Sequence, residues 1–285
     1  MTNIEIFIIT LPVSALEHNT WFTKLRASGN SSKLTADICD RILGVVAKSI
    51  SLQELHLSTV GARWDFAVKL GQAMAANPLC NLQVIDLSCN FLEDKGLIPV
   101  AAIMSKIPKG MHHLNLSHCS LTSRSITNLC QSLITNRLNT SSLTYLNLCG
   151  NTLKDDSQML CSFLAQPNVL AILDLSNTDT HLELLFPALV RGCTTALTHL
   201  NLARNPFSSS KKAKDVPPSF KQFFATTLSL QYLNMSFVKI PPEALKNLLL
   251  GNFVIVDWMN MQGINIESLK HIYDRNVSKR SAILW

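Results

Sequence analysis

Hydrophobic and polar positions repeat along most of the chain in the order L-x-x-L-x-L, called the frame below, with Ile or Met replacing some leucines. The first clear copy of the frame starts at Leu52. Six further copies follow at spacings of 30, 29, 32, 27, 27 and 33 residues, starting at Leu82, Met111, Leu143, Leu170, Leu197 and Leu230. A weaker copy starts at Phe22, 30 residues before Leu52. One copy can arise by chance, but seven in near register predict a repeat architecture.

Each copy of the frame predicts one short strand. Alternation at the L-x-L step places two apolar side chains on one face and sends the residue between them to the other face. Several copies extend to L-x-x-L-x-L-x-x-N/C-x-L, with Asn90, Cys119, Asn151 and Asn205 at the N/C position. A buried Asn there can hydrogen-bond to the backbone where the chain leaves the strand, and a Cys fills similar space as a weaker donor.

After each of these turns the hydrophobic period becomes helical. In 66–74 the apolar residues recur at i, i+4, i+7 and i+8, and similar spacings follow in 97–104 and 126–133. This spacing is typical of an amphipathic helix. Alternating strands and helices predict an α/β fold, a right-handed leucine-rich-repeat solenoid with parallel strands inside and helices outside. Because helices are wider than strands, such a stack is expected to curve into a ribonuclease-inhibitor-like horseshoe.

The frame divides the chain into three predicted regions. Residues 1–19 form an N-terminal leader, residues 20–251 an array of about eight repeats, and residues 252–285 a divergent tail. The leader contains an apolar segment, which we interpret as a strand or a disordered leader. It differs from a secretory signal because Glu5 interrupts it and no basic residue precedes it.

Two parts of the chain depart from the regular repeat. The repeat that starts at Leu197 contains a polar, lysine-rich insertion in 208–218, and we expect its helix to restart near Pro218. In the tail, apolar residues in 253–258 predict a strand, and residues 266–273 predict a helix. The tail is therefore either a degenerate half-repeat cap or a disordered segment.

Composition argues against several classes of protein. Only 15% of the residues are charged and 47% are hydrophobic, so the chain is too apolar to be disordered. The net charge of +6 is thinly spread, without the Lys/Arg runs and interleaved aromatics of a nucleic-acid-binding surface. No apolar run approaches the roughly 18 residues that a membrane-spanning helix needs. The eight cysteines lack tight disulfide spacing, which indicates a reducing, cytoplasmic compartment.

The outward face of the predicted strands is the candidate protein-binding surface. Its residues stand on either side of the central leucine of each strand and form two columns. The surface is centred on its His and Tyr residues, since aromatic side chains are favoured anchors at interfaces. Asn, Asp and Ser at such positions can instead be solvated ladders that stabilise strand register. The candidates are Glu54, His56, Asp86, His113, Tyr145, Asp174, His199 and Tyr232.

The sequence predicts no catalytic, cofactor or metal site. Asp86 and Asp174 lie three repeats apart, about 14 Å at strand spacing, which exceeds the roughly 5–10 Å that paired catalytic carboxylates use. Segment 112–119 contains metal-ligand residue types, but alternation sends His113 outward and Cys119 into the turn. No glycine-rich phosphate loop or nucleophile elbow is present. We therefore expect no enzyme activity, no cofactor and no small-molecule substrate.

Three lysines in the insertion form a second candidate site. Lys211, Lys212 and Lys214 could contact an acidic lipid headgroup or an acidic protein partner. The alternative is that these lysines are simply solvated.

Several segments go beyond what the generic repeat dictates. The clearest are Phe163–Asn168, Leu173–Thr178, Leu189–Cys193, Val216–Phe224 and Leu245–Gly251, with shorter matches in Trp21–Leu25, Leu92–Gly96 and Pro108–Gly110. The string VPPSFKQFF in 216–224 is the most specific, because it lies in a loop and a helix start. On these segments, residues 17–251 resemble the repeat region of the capping protein, Arp and myosin-I linker (CARMIL) family.

The resemblance implies a non-enzymatic scaffold in actin filament capping and actin-based cell motility. Members are large cytosolic proteins that bind capping protein and act at the plasma membrane of moving cells. We therefore expect protein partners from the actin-regulatory machinery, and a location at the cytoskeleton and the plasma-membrane periphery. The alternative is a generic leucine-rich-repeat module with an unrelated cytosolic partner.

The family plan places a PH-like domain before the repeats, with a dimerising helical region and a capping-protein-binding segment after them. This chain departs from that plan, since it starts just before the repeats, covers about half of the usual array and ends in an unrelated tail. We therefore expect that no residue matched here carries the capping-protein-binding activity.

Overall fold

The computed structural model describes residues 2–5, 21–27, 34–154, 156–208, 216–245, 258–260 and 283–284. These residues belong to two compact units, Met1–Asn151 and Thr152–Trp285. The candidate lysines of the insertion, and the helix expected in 266–273, lie outside the described residues. No helix in the described part of the chain has the length and apolar character needed to cross a membrane.

Within the described residues, the first unit contains six parallel strands and five helices. Strands β1 to β6 are Thr2–Glu5, Phe22–Arg26, Glu54–His56, Val84–Asp86, His113–Asn115 and Tyr145–Asn147. Helices α1 to α5 are Ala36–Lys48, Trp64–Ala76, Glu93–Met104, Ser123–Thr135 and Leu138–Ser142. Consecutive strands are paired in the register of the frame, which joins Lys24, Glu54, Val84, His113 and Tyr145 in one row.

The second unit repeats the same plan. Strands β7 to β11 are Ile172–Asp174, His199–Asn201, Tyr232–Asn234, Trp258–Asn260 and Ile283–Leu284. Helices α6 to α8 are Gln158–Leu164, Leu182–Gly192 and Pro218–Thr226, so the helix after the insertion begins at the expected residue. In the tail, β10 pairs in parallel with β9, placing Trp258 opposite Tyr232, and β11 pairs in parallel with β10.

The core is formed by the apolar positions of the frame. In each three-residue strand of both units except β10 the central side chain is buried and its two neighbours are half-buried. Full burial of a Leu side chain contributes about 1.5–3 kcal/mol. On the helical side, α2 buries Phe66, Leu70, Ala73 and Met74, as their spacing predicts. The α/β leucine-rich-repeat arrangement predicted from the frame is thereby confirmed in both units.

The N/C position of the extended frame is held by buried side-chain hydrogen bonds. Asn90 Nδ2 donates to the carbonyl oxygens of Leu57 at 2.7 Å and Leu87 at 2.8 Å, while its Oδ1 accepts from the backbone N–H of Ala62 at 2.9 Å. Cys119 replaces Asn in the following repeat, and its Sγ lies 3.1 Å from the Leu87 carbonyl oxygen. Asn90 therefore joins its own repeat to the preceding one.

One helix was not predicted from the sequence. The long spacing of 32 residues between Met111 and Leu143 is taken up by α5, which inserts an extra turn before β6. Asn139 is fully buried in this helix. Its Oδ1 accepts from the backbone N–H of Met111 at 2.8 Å, so a polar contact, and no hydrophobic period, holds α5 in place.

Candidate functional site

The predicted surface residues lie on the outward face of the strands and are half-buried. The first unit carries Glu54, His56, Asp86, His113 and Tyr145, and the second carries Asp174, His199 and Tyr232. Within each unit a His from one strand is the register partner of a Tyr on the next. Each unit therefore contains one His/Tyr pair.

In the first unit, the pair is a tight parallel stack. The rings of His113 and Tyr145 have centroids 3.9 Å apart and planes only 5° from parallel. Asn147 Nδ2 donates to the Tyr145 hydroxyl oxygen at 3.2 Å, which fixes the outer end of the ring. Burial lowers the pKa of His113 below its ordinary value, an effect that the nearby Asp86 carboxylate opposes. The lowered pKa favours the neutral form of the His113 ring in this stack.

In the second unit, the corresponding pair is looser. The ring centroids of His199 and Tyr232 are 5.6 Å apart, and their planes differ by 21°. Thr198 Oγ1 lies 2.9 Å from His199 Nδ1, within hydrogen-bond distance, so one imidazole nitrogen already has a partner. Burial raises the pKa of Tyr232, with a smaller contribution from Asp174. The phenol is thus neutral and able to donate a hydrogen bond at physiological pH.

A cluster of charged side chains lies in the first unit, at the end of the row of paired strand residues that is away from His113 and Tyr145. Glu54 Oε2 lies 2.9 Å from Lys24 Nζ and 3.0 Å from His56 Nε2. Burial raises the pKa of Glu54, but hydrogen bonds from Lys24 and His56 more than offset it, so the net pKa is lowered. Sequence reasoning missed Lys24, although the weak copy of the frame at Phe22 already aligns Lys24 with Glu54.

The two aspartates among the candidates have local structural partners. Asp86 Oδ1 accepts from the backbone N–H of Ser88 at 3.0 Å and from its hydroxyl at 2.6 Å. Asp174 Oδ1 makes the same two bonds with Ser176, at 2.9 and 2.6 Å. Asp174 Oδ2 also accepts from Asn201 Nδ2 at 2.9 Å. These carboxylates thus fix the ends of their strands, which favours the interpretation of this column as a register-stabilising ladder.

The thiols of Cys119 and Cys193 belong to the core. Burial raises the pKa of Cys119 to about 12 and that of Cys193 to about 11, so both stay protonated at neutral pH. Cys149 Sγ lies 3.6 Å from His118 Nε2. Across the ranges that the structure describes, no group of three or more His, Cys, Asp or Glu side chains is arranged to hold a metal ion.

Residues 2–267 match a family described as "CARMIL family, LRR domain". The human protein named capping protein, Arp2/3 and myosin-I linker protein 3 is 40% identical over 246 residues, which cover 85% of this chain and 18% of that protein. Mouse capping protein, Arp2/3 and myosin-I linker protein 2 is 36% identical over 247 residues, covering 85% of this chain and 17% of that protein.

A relative with lower sequence identity also matches most of this chain. Protein CARMIL of Dictyostelium discoideum is 30% identical over 240 residues, covering 84% of this chain and 22% of that protein. The chain therefore spans about a fifth of the length of the curated relatives that it matches.

Proposed function

Since the chain belongs to the CARMIL family through its leucine-rich-repeat domain, we propose that it is a non-enzymatic protein-interaction scaffold in the regulation of actin filament capping. The names of two relatives describe linkers of capping protein, Arp2/3 and myosin-I. This supports a partner from the actin-regulatory machinery. The proposed binding surface is the outward face of the strands, with its His and Tyr residues as anchors.

The observation that carries this proposal is the stack of His113 on Tyr145. Two rings 3.9 Å apart and nearly parallel are already ordered before a partner arrives, so little side-chain entropy is lost on binding. Both rings are half-exposed, and apart from Val84 the other outward residues of β3 to β6 are polar. Aromatic residues in such positions contribute a large share of the binding energy at protein interfaces.

A non-catalytic role is supported by the surroundings of the carboxylates and thiols, which are the side chains that could otherwise take part in catalysis. The carboxylates of Asp86 and Asp174 accept hydrogen bonds from serines that follow the same strands, Ser88 and Ser176. Cys119 and Cys193 are buried thiols with raised pKa values, which makes them poor nucleophiles. Neither nucleic acid nor a small-molecule substrate is part of the proposal.

Binding to purified Arp2/3 complex and to purified myosin-I tests the proposal directly. We expect the 285-residue chain, immobilised on a sensor surface, to bind at least one of them. A variant with both His113→Ala and Tyr145→Ala should bind at least about tenfold more weakly, as expected for paired hot-spot residues. Phe91→Ala is the matched control, because Phe91 is an exposed aromatic residue that follows β4, outside the strand face.

The outcomes separate the proposal from its alternative. Unchanged affinity of the double variant would show that the strand face is not the binding surface. Absence of binding to both proteins would favour a generic repeat module with an unrelated partner. As part of the same proposal, the protein is placed in the cytoplasm, at the cytoskeleton and the plasma-membrane periphery. Imaging of a fluorescent fusion in moving cells checks this placement.

A further inference from the structure

The loops that lead from each helix into the next strand of the first unit lie along one edge of its sheet. This follows from the parallel pairing of β2 to β6, because parallel strands all start at the same edge. We call this edge the entry edge. It comprises Trp21 and residues 48–53, 77–83, 105–112 and 136–144.

The entry edge exposes a row of large hydrophobic side chains. Trp21 is 79% exposed, Ile50 52%, Leu79 61% and Leu138 48%. Each comes from a different repeat, and the remaining repeat contributes the exposed Pro108. Single exposed hydrophobic residues are ordinary on protein surfaces, but one in successive loops along a single edge indicates an interaction surface.

All the charges of the entry edge are positive. Lys48, Lys106, Lys109 and Arg137 are exposed there, and its segments contain no Asp or Glu. Basic residues near helix C-termini are favoured by the helix dipole, which accounts for part of this pattern. The dipole does not account for the exposed hydrophobic residues between them, so the combination requires another explanation.

The entry edge is extended and carries a small recess. At strand spacing, the row from the repeat of Trp21 to that of Leu138 is about 19 Å long. The recess between the Pro78 and Pro108 loops, beside Lys106, has a volume of about 160 Å³. Sites that enclose a ligand usually measure about 300–1,000 Å³, so this recess is too small to enclose a ligand of ordinary size.

We propose that the entry edge of the first unit docks on an anionic lipid membrane. Trp21, Ile50, Leu79 and Leu138 enter the boundary between headgroups and acyl chains, where Trp and aliphatic side chains are favoured. The Lys and Arg side chains extend beside them to the lipid phosphates. This surface is separate from the strand face of the first unit.

Vesicle flotation with the 285-residue chain tests the proposal. We expect binding to vesicles of phosphatidylcholine with phosphatidylserine, and much weaker binding to phosphatidylcholine alone. Each basic residue near an anionic surface strengthens binding about fivefold. The variant Lys106→Gln, Lys109→Gln, Arg137→Gln should therefore lose at least about tenfold in partitioning.

The matched control removes the same charge elsewhere in the first unit. Lys69→Gln, Lys95→Gln, Arg124→Gln changes three exposed basic residues on α2, α3 and α4, outside the entry edge. This control should keep near-original binding. An equal loss in both triple variants would mean that net charge alone drives binding, and would overturn the proposal.

A second pair of measurements tests the apolar contribution and the choice of partner. Leu79→Ser with Leu138→Ser should weaken vesicle binding while leaving the melting temperature unchanged, since both side chains are exposed. Polyglutamate serves as a soluble acidic competitor. Binding to polyglutamate without binding to vesicles would assign the entry edge to an acidic polypeptide and would overturn the membrane proposal.

Discussion

Asn90 shows how a single side chain joins adjacent repeats. Its amide satisfies the carbonyl oxygens of Leu57 and Leu87 and the N–H of Ala62, and the side chain is only 1% exposed. A buried backbone group that loses its partner costs about 1–3 kcal/mol. The stability of the turn therefore depends on a polar contact that is fully enclosed by the leucine core.

Asn90→Ala is expected to lower the free energy of unfolding by about 3 kcal/mol or more, because three buried backbone groups lose their partner. Asn90→Cys should cost clearly less, since Cys119 at the equivalent position keeps a contact from Sγ to the Leu87 carbonyl oxygen. Denaturant titration of the two variants measures both effects. Equal losses would show that the side chain only fills space.

At the residue scale, the sequence predicts where a residue lies in its repeat better than it predicts which side chains that residue contacts. The frame identifies Asn90 as a turn residue and His113 and Tyr145 as neighbours on the outward face. The near-parallel stacking of the two rings and the Asn147 contact to the Tyr145 hydroxyl are not revealed by sequence spacing. The ion cluster of Lys24 with Glu54, by contrast, could have been predicted, because the weak copy of the frame at Phe22 aligns the two residues.

At the element scale, hydrophobic periodicity predicts the elements that bury a continuous apolar stripe. The strand at each clear frame, and helices such as α2, follow from it directly. Helix α5 was missed because its sequence LNTSS has no apolar period and is held by the buried amide of Asn139. Ser142 Oγ adds a hydrogen bond to the Met111 carbonyl oxygen at 2.7 Å, and elements held by such polar contacts leave no periodic signal.

Removal of the tail should destabilise the second unit. Deleting residues 252–285 removes β10 and β11, leaving the edge of β9 without the parallel pairing that β10 provides. Unpaired strand edges are sites of aggregation. We expect a lower melting temperature and more aggregation, measured by calorimetry and light scattering.

A shorter truncation is the control for this experiment. Deleting only residues 283–285 removes β11 but keeps β10 on β9, so its effect should be much smaller. A protein without residues 252–285 that stays monomeric with an unchanged melting temperature would rule out a capping role for the tail.

At the scale of the whole molecule, the first unit offers two surfaces built from different atoms of the same repeats. The strand face uses side chains beside the central leucines, while the entry edge uses the loops that precede the strands. A membrane held along the loops therefore needs none of the His113 and Tyr145 atoms that the proposed protein partner would contact. The strand face can therefore bind a protein while the entry edge lies on a membrane, and loss of one activity leaves the other intact.

The 285-residue chain alone is expected to leave capped actin filaments capped. Its match to the family lies in the repeat domain, over residues 2–267, and the resemblance to the family assigns capping-protein binding to a segment after the repeats. Elongation of capped filament seeds in pyrene-labelled actin measures this, with a full-length family member as the positive control. Faster elongation on addition of this chain would show that its own residues reach capping protein, and would move that activity into the repeat domain.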